Sequence, residues 1–174
     1  FNSDEAISLI YSNNNTISKN TCPQNGRGVY LSHSSRNAIS TNYCSENSIG
    51  IHFRTSSDYN NVSDNTCSYT SDCGIAVGES SNNRFLRNTC NDNQFGIRLS
   101  YNSNDNLIAE NAFCYNVQNC TSVQNDCSGN VFKDNICKDS RPVVLAPEED
   151  TTSPSWDEKP TDQTIFLGEP MNYD

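Results

Sequence analysis

Apolar and polar residues alternate along this chain with a long period of about 23 residues. The pattern Asn-x-apolar-x-x-Asn occurs six times, and its first Asn advances in steps of 22, 23, 23, 23 and 24 residues. The six copies are Asn15/Ile17/Asn20, Asn37/Ile39/Asn42, Asn60/Val62/Asn65, Asn83/Phe85/Asn88, Asn106/Ile108/Asn111 and Asn130/Phe132/Asn135. A fixed period of this length is the signature of a stacked repeat protein.

A second track with the form Gly-apolar-x-apolar runs beside the first. It begins at Gly28, Gly50, Gly74 and Gly96, and Ala6 takes the Gly position one period earlier. Each period therefore holds two short alternating stretches separated by Ser, Asn and Asp, which predicts strand, turn, strand, turn. No stretch shows the apolar spacing of three and four residues that a helix requires.

The repeat predicts an all-β fold, a right-handed parallel β-helix of about six coils with an extended C-terminal tail. When one period closes into a coil, the next coil pairs with it at roughly 4.8 Å, so six coils make a rod on the order of 30 Å long. Equivalent apolar positions then stack into inward columns. One predicted column is Ile7, Val29, Ile51, Ile75 and Ile97, and another is Leu9, Leu31, Phe53, Val77 and Leu99.

The second Asn of each copy is predicted to form a structural ladder. Asn tolerates the left-handed backbone conformation of a sharp corner, and its amide can bond to neighbours above and below. The predicted ladder residues are Asn20, Asn42, Asn65, Asn88, Asn111 and Asn135. We expect them to have no role in ligand binding.

The repeated Cys residues are predicted to face inward, where a small apolar thiol packs well. This column is Cys22, Cys44, Cys67, Cys90 and Cys137, with Phe113 in the fifth copy. We expect no metal there, because one residue per coil spreads the ligands along a line.

The irregular Cys residues are candidates for disulfides. The spacing of six residues suggests Cys67 with Cys73 and Cys114 with Cys120, and leaves Cys127 without a partner. Nine Cys in a chain rich in Asn, Ser and Thr indicate an extracytoplasmic protein.

The net charge of the chain restricts the classes of partner that it can bind. A net charge of −10 argues against nucleic acid and against anionic membrane surfaces. No run of 18 apolar residues predicts membrane insertion, and no amino-terminal segment has the order of a signal peptide.

The span from about Ala6 to Cys137 resembles the parallel β-helix repeat family that includes the NosD-like periplasmic proteins and the carbohydrate-active β-helix enzymes. The blocks "NTISKNTC", "NAISTNYC", "NVSDNTC" and "NLIAENAF" carry the resemblance, each joined to a Gly-apolar-x-apolar strand. The resemblance is specific for the fold. It implies a protein that cuts, epimerises or binds polysaccharides, or one that serves as a rigid spacer on a cell surface.

The sequence divides into three parts. Residues 1–139 are the predicted β-helix, and residues 140–160 have the Pro-rich, acidic composition of a linker. Residues 161–174 contain a predicted strand, Thr164, Ile165, Phe166 and Leu167, and resemble the start of a cadherin-like or immunoglobulin-like module. We expect this strand either to open a truncated module or to complete a sheet on another molecule.

The sequence contains no recognisable set of catalytic, cofactor-binding or metal-binding residues. Arg54, Arg84, Arg87 and Arg98 and the acids Asp58, Asp64, Asp105 and Glu110 are available, yet they share no equivalent strand positions. The register places Arg98 beside Ala76 and His52 on an outward face, where a shallow groove with a catalytic role is the alternative to an ordinary solvated surface, which is the favoured interpretation. His33 and His52 fall at different coil positions, so a two-His metal site is not expected.

Three sequons, at Asn14, Asn61 and Asn119, lie at predicted corners or loops and are candidates for N-glycosylation.

Two functional hypotheses remain open. The first is a non-catalytic extracellular rod at the cell surface that assembles with further copies or other surface proteins, in a filament or surface layer. The second is a carbohydrate-binding or polysaccharide-lyase-like domain, in which Tyr30, Tyr59, Tyr69 or Tyr101 stacks on sugars. An outward groove lined by Tyr and Arg would favour the second hypothesis, and a bare Ser and Asn surface would favour the first.

Overall fold

The computed structural model describes residues 4–138, which form a parallel β-helix of about six coils and confirm the predicted fold. Fourteen strands make up the described chain. They are β1 (Glu5–Ile10), β2 (Thr16–Ser18), β3 (Arg27–Ser32), β4 (Ala38–Ser40), β5 (Ile49–Arg54), β6 (Asn61–Ser63), β7 (Cys73–Gly78), β8 (Arg84–Leu86), β9 (Phe95–Ser100), β10 (Leu107–Ala109), β11 (Ala112–Cys114), β12 (Asn119–Val123), β13 (Val131–Lys133) and β14 (Ile136–Lys138). Across this range there is no helix with the length and apolar character needed to cross a membrane.

Each coil has three sides. Sheet A contains the long strands in the order β1-β3-β5-β7-β9-β12, and sheet B contains the short strands in the order β2-β4-β6-β8-β10-β13. The third side, face C, consists of the β11-β14 pair and a row of single-residue parallel bridges. These bridges join Thr21, Tyr43, Thr66, Thr89 and Ala112.

The predicted inward columns of sheet A exist in the register of the strands. Ile7 pairs with Val29, Val29 with Ile51, Ile51 with Ile75 and Ile75 with Ile97. From Val29 to Ile97 these side chains are fully buried. The interior is thus one continuous apolar core, which explains how a chain with only 33 % hydrophobic residues folds.

The Gly track is explained by close packing at the corner between face C and sheet A. A Cβ at Gly50 would lie 2.6 Å from Cys67 Cβ and 2.5 Å from the carbonyl oxygen of Gly74. A Cβ at Gly74 would lie 2.5 Å from Cys90 Cβ. The Cys column therefore fits only because the residue facing it in the same coil has no side chain.

The Asn ladder is present as predicted from the amide chemistry. Asn65 N–H donates to Asn88 Oδ1 at 3.0 Å, and Asn65 Nδ2 donates to the same oxygen at 3.0 Å and to the carbonyl of Ile39 at 2.9 Å. The same bonds repeat from coil to coil, and the inner ladder residues Asn42, Asn65, Asn88 and Asn111 are buried.

The left-handed conformation, in contrast, was assigned to the wrong residue. Positive φ occurs one position before each ladder Asn, at Lys19, Thr41, Asp64, Arg87, Glu110 and Asp134. The side chain of that corner residue points to solvent, while its N–H bonds to the next coil, as Asp64 N–H does to Leu86 O at 3.1 Å. The Asn that follows closes the corner from inside.

Two further ladders of amides line the other corners. The first Asn of each copy forms one of them, as in the 2.8 Å bond from Asn60 N–H to Asn83 Oδ1. The other consists of Asn25, Asn47, Thr70, Asn93 and Asn116. Both recur with the same period in the sequence, so the signal that identified one ladder could have identified all three.

The predicted disulfides, Cys67 with Cys73 and Cys114 with Cys120, are wrong. The structure joins Cys120 to Cys137, with Cα atoms 5.9 Å apart, and leaves Cys67, Cys73 and Cys114 as thiols. The predicted partners face opposite ways.

Cys67 and Cys120 belong to the core cluster, whereas Cys73 Sγ lies 3.3 Å from an Asp72 carboxylate oxygen and Cys114 follows the inward Phe113. Of the Cys column, Cys22, Cys44, Cys67 and Cys90 are buried thiols as predicted, and Cys137 joins the disulfide. Cys127 is a half-buried free thiol.

The predicted linker of residues 140–160 and the strand Thr164–Leu167 lie outside the described residues, and both remain predictions. The same holds for the resemblance of residues 161–174 to a cadherin-like or immunoglobulin-like module.

Candidate ligand-binding groove

The outer face of sheet A has a depression centred on β7. All six residues of β7 are buried, although the outward positions in its second half, Ala76 and Gly78, carry almost no side chain. The strands on either side carry long side chains at the same level, so β7 becomes a floor between two walls. We call this depression, of about 410 Å³, the sheet-A groove; it is lined by His52, Arg54, Ala76, Val77, Gly78, Arg98, Ser100, Tyr101 and Gln124.

The walls are basic and aromatic. His52 and Arg54 stand on β5, on one side of the floor, and Arg98 stands on β9, on the other side. Tyr101 directly follows β9, has a φ of 53° and is 56% exposed. The predicted neighbours Arg98, Ala76 and His52 are thus side by side, as the register indicated.

Arg98 is fixed by a pair of charge-assisted hydrogen bonds. Its two terminal nitrogens donate to the two carboxylate oxygens of Asp72 at 2.9 and 2.7 Å, and its guanidinium lies 5.3 Å from the ring centroid of Phe95. A bidentate pair of this kind fixes the plane and direction of the guanidinium. Arg98 is therefore a rigid wall with part of its charge neutralised.

Arg54 is the available cation. Its side chain is exposed, and within residues 4–138 its guanidinium takes part in no hydrogen bond or ion pair. By comparison, Arg27 pairs with Glu5 and stacks 5.0 Å from the Tyr30 ring. An anionic group that enters the sheet-A groove would meet Arg54 without displacing another partner.

His52 is held neutral in the groove wall. Burial, followed by the nearby charges of Arg27, Arg54 and Arg98, lowers the pKa of His52 to about 4. Its ring packs edge-on to Tyr30 at 5.6 Å, and its buried Nδ1 has no hydrogen-bond partner in the described chain. A neutral imidazole adds no charge to the groove wall, so the charge of this wall comes from Arg54.

The other charged residues considered in the sequence lie outside the sheet-A groove. Arg87 binds Asp64 through two bonds of 2.9 and 3.0 Å and lies 3.9 Å from Glu110, at the outer corner that follows sheet B. Arg84 is exposed on β8 of sheet B. None of these four residues lines the sheet-A groove.

Asp58 accepts a bond of 2.7 Å from Ser81 N–H, and Asp105 lies at a corner with a φ of 54°. Neither lines the sheet-A groove. His33 stacks on Tyr11 at 4.5 Å, away from His52. The sequon residues Asn14, Asn61 and Asn119 are all exposed, and their glycosylation remains a prediction.

Asp72, which fixes Arg98, was not among the site residues predicted from the sequence. From Ile51 to Ile75 sheet A advances by 24 residues, whereas the steps before and after are of 22. One of the two additional residues lies between β5 and β6, and the other lies between β6 and β7, in the segment that contains Asp72. The irregular step was a visible signal, although the direction of the Asp72 side chain depends on the path of the turn.

Comparisons with known proteins agree with this architecture. A family model described as "Periplasmic copper-binding protein (NosD)" matches residues 1–172. A double mutant of the periplasmic alginate epimerase AlgG has a similar fold, with a TM-score of 0.72 and 20% identity over 75% of this chain. The match covers 32% of that protein, so the chain spans about a third of its length. No curated protein matches the chain.

The donors present in the described residues do not fit a copper site. No three His, Cys, Asp or Glu side chains converge anywhere between residues 4 and 138. The thiols of the Cys column are stacked one per coil, and contact with Cys44 together with burial raises the pKa of Cys22. Copper and other soft metals bind the deprotonated thiolate, which burial disfavours here, so the Cys column fits a packed core and offers no converging set of ligands in the described residues.

Proposed function

The chain belongs to the NosD family, and from that premise we propose that it is an extracytoplasmic β-helix domain that binds acidic carbohydrate in the sheet-A groove. The observation that carries the proposal is the groove itself, in which the available cation Arg54 faces Arg98 and Tyr101 across a floor of small residues. The periplasmic description of the family and of the alginate epimerase supports the location. The Cys120–Cys137 disulfide supports it too.

The groove suits a sugar with a carboxylate. Arg54 offers planar, bidentate recognition of such a group. Tyr101 offers an exposed ring on which the apolar face of a sugar can stack. The chain as a whole has a net charge of −10, so a basic groove on its surface selects the position where an anionic ligand binds.

We propose binding without turnover. Glycoside hydrolysis uses two carboxyl groups on either side of the scissile bond, and the residues that line the groove include no carboxylate. The carboxylate of Asp72, which contacts Arg98 in the groove wall, is already engaged by that ion pair. A lyase or epimerase acting through His52 is the competing enzymatic hypothesis.

Calorimetric titration with oligomers of mannuronate, guluronate and galacturonate tests the proposal. We expect one class to bind, with an affinity that falls as salt rises. Arg54→Gln should weaken binding at least tenfold, because a charge-assisted hydrogen bond contributes about 1.5–3 kcal/mol. Arg84→Gln, an exposed arginine on sheet B, is the matched control.

Binding that is absent for all three oligomers, or unchanged in Arg54→Gln, contradicts the proposal. Absorbance and proton spectra of the same mixtures would reveal unsaturated or epimerised products. Such products would favour catalysis over binding without turnover. In that case His52→Gln should abolish product formation.

A second candidate function is assembly, and the last coil favours it. Val123 and Phe132, which end the inward columns, are 42% and 39% exposed. The amides of Asn130 and Asn135 lack the next acceptor in the described part of the chain. A second copy stacked on this coil would supply these acceptors.

Light scattering of the intact chain over a range of concentrations tests assembly. We expect an oligomer that dissociates in Phe132→Asp. A monomer at all concentrations rejects this candidate and leaves the carbohydrate proposal intact.

A further inference from the structure

A second depression lies at the corner where face C turns into sheet A. It has a volume of about 530 Å³ and lies at the beginning of β5 and β7, whereas the sheet-A groove lies toward their ends. We call it the corner pocket; it is lined by Glu46, Asn47, Ser48, Tyr69, Thr70, Ser71 and Asp92. It shares no residue with the sheet-A groove.

The corner pocket lies where an amide ladder is interrupted. Asn25 N–H donates to Asn47 Oδ1 at 2.7 Å, and Asn93 N–H donates to Asn116 Oδ1 at 2.9 Å. The next position after Asn47 is Thr70, whose hydroxyl instead donates to Asn93 Oδ1 at 2.7 Å.

Thr has no amide oxygen to offer to the previous coil. In the described residues the main-chain N–H of the buried Asn47 therefore has no acceptor. A buried N–H without a partner is costly, so this position favours a bound acceptor.

Three outward residues form the rim of the corner pocket. Glu46, Tyr69 and Asp92 occupy the same corner position in successive coils, with φ values of 61°, 58° and 58°. Gln24 and Tyr115 occupy the same corner position in the flanking coils, with φ values of 62° and 61°, so this conformation is a regular feature of the corner. The Tyr69 ring is 61% exposed and stands between the two acids.

We propose that the corner pocket binds a neutral, hydroxyl-rich sugar ring. The ring stacks on Tyr69, one hydroxyl oxygen accepts the N–H of Asn47, and hydroxyls at opposite edges donate to Glu46 and Asp92. Two coil spacings place the acids roughly 9.6 Å apart. Two hydrogen bonds of about 2.7 Å leave a gap of about 4 Å, close to the width of a sugar ring.

The charge of the pocket sets the class of ligand. Two carboxylates repel a uronate, so the corner pocket and the sheet-A groove select different sugars. A cation is not favoured, because no third acidic, His or Cys side chain joins Glu46 and Asp92 within residues 4–138. Glu46 also accepts a long bond of 3.4 Å from Gln24, and a carboxylate retains further acceptor sites.

Amide proton–nitrogen spectra of the intact chain test this proposal. The probes are cellohexaose, xylohexaose, mannohexaose and maltohexaose, each added to millimolar concentration. We expect at least one of them to shift the amide signals of Asn47, Tyr69 and Thr70. Tyr69→Asn, which preserves the left-handed backbone, should weaken binding at least tenfold, and so should Asp92→Asn.

Two control variants make the test specific. Tyr59→Asn removes another exposed tyrosine with a φ of 58° and should leave neutral sugar binding unchanged. Arg54→Gln should also leave it unchanged while it weakens binding of acidic oligomers, so the two sites can fail separately.

The proposal is overturned if no neutral hexasaccharide shifts the Asn47 amide. It is overturned equally if Tyr69→Asn binds as well as the original chain, or if the shifts map to His52 and Arg54.

Discussion

The buried columns and the outer face of sheet A follow opposite rules. Inside, equivalent positions of successive coils carry the same kind of residue, as in the ladder through Asn42, Asn65 and Asn88. Outside, the equivalent positions Tyr30, His52, Ala76, Arg98 and Ser122 differ in every coil. Uniform positions hold the coils together, whereas the variation creates a floor, two walls and local charge. In a repeat protein the deviations from the repeat therefore identify the candidate site.

The sharpest test of the buried columns is Asn88→Ala. The change removes two bonds that Asn65 donates to Asn88 Oδ1 and two that Asn88 Nδ2 donates, to Val62 O and Asn111 Oδ1. Because it leaves buried groups unpaired, we expect a loss of about 4 kcal/mol in the free energy of unfolding. Urea unfolding measures it.

The control is Asn61→Ala, an exposed Asn on sheet B, which should change stability by less than about 0.5 kcal/mol. Equal losses at both positions would remove the distinction between ladder and surface.

Substitutions at two glycines compare the stability effect of an added methyl group in the core with that in the groove. In Gly50→Ala the new Cβ meets Cys67 Cβ at 2.6 Å, and we expect a loss of about 3 kcal/mol from overpacking. In Gly78→Ala the nearest atom is Tyr101 Cδ2 at 3.6 Å, so stability should be retained. Thermal unfolding measures both variants, and titration with acidic oligomers should show weaker binding only for Gly78→Ala.

The last coil can be made to resemble the inner coils by Cys120→Gly. This variant loses the disulfide to Cys137, and we expect a loss of about 2 kcal/mol, a low value because the loop is short and lies in the last coil. Hydrogen exchange should become faster in β12 and β14 and stay unchanged in β5 and β7. Cys127→Ser, at a half-buried free thiol, is the control, and faster exchange throughout the solenoid would contradict the expectation.

The smallest expected effect is the contribution of His52, in the groove wall, to the pH dependence of stability. Burial and the neighbouring arginines lower the pKa of His52 from 6.5 to about 4 in the folded state, so the unfolded state binds the extra proton first. Stability from this group is present above pH 6.5 and lost as pH falls toward 4. After solvent screening we expect about 1 kcal/mol.

Urea midpoints at neutral pH and at pH 4.5 should therefore differ less in His52→Gln than in the original chain. His33→Gln is the control, since His33 stacks on Tyr11 outside the groove. An unchanged difference in His52→Gln would contradict the assignment.

The repeat was sufficient to predict the coils, the inward columns and the neighbours of Arg98. It failed where a residue had to be assigned to the inner or the outer face of a coil. Cys120 was treated as irregular, yet it pairs with the Gly96 position, since Asn119 pairs with Phe95 and Thr121 with Ile97. The disulfide thus replaces the contact that Gly50 makes with Cys67 in an inner coil.

The groove was predicted only in part for a related reason. Register alone aligned His52, Ala76 and Arg98, because parallel strands keep equivalent residues adjacent. The depth of the groove depends on the height of neighbouring side chains, and the lock on Arg98 depends on how the turn directs Asp72. Neither property is periodic, so a repeat analysis does not contain it.

The amide ladders also determine the order in which the coils complete their hydrogen bonds during synthesis. Asn42 N–H donates forward to Asn65 Oδ1, and Asn65 N–H donates forward to Asn88. During synthesis from the amino terminus, the corner of each coil therefore gains its acceptor only after about 23 more residues have been made. The most recently synthesised coil is therefore always incomplete, and in the described chain the cross-link of Cys120 to Cys137 holds the last coil.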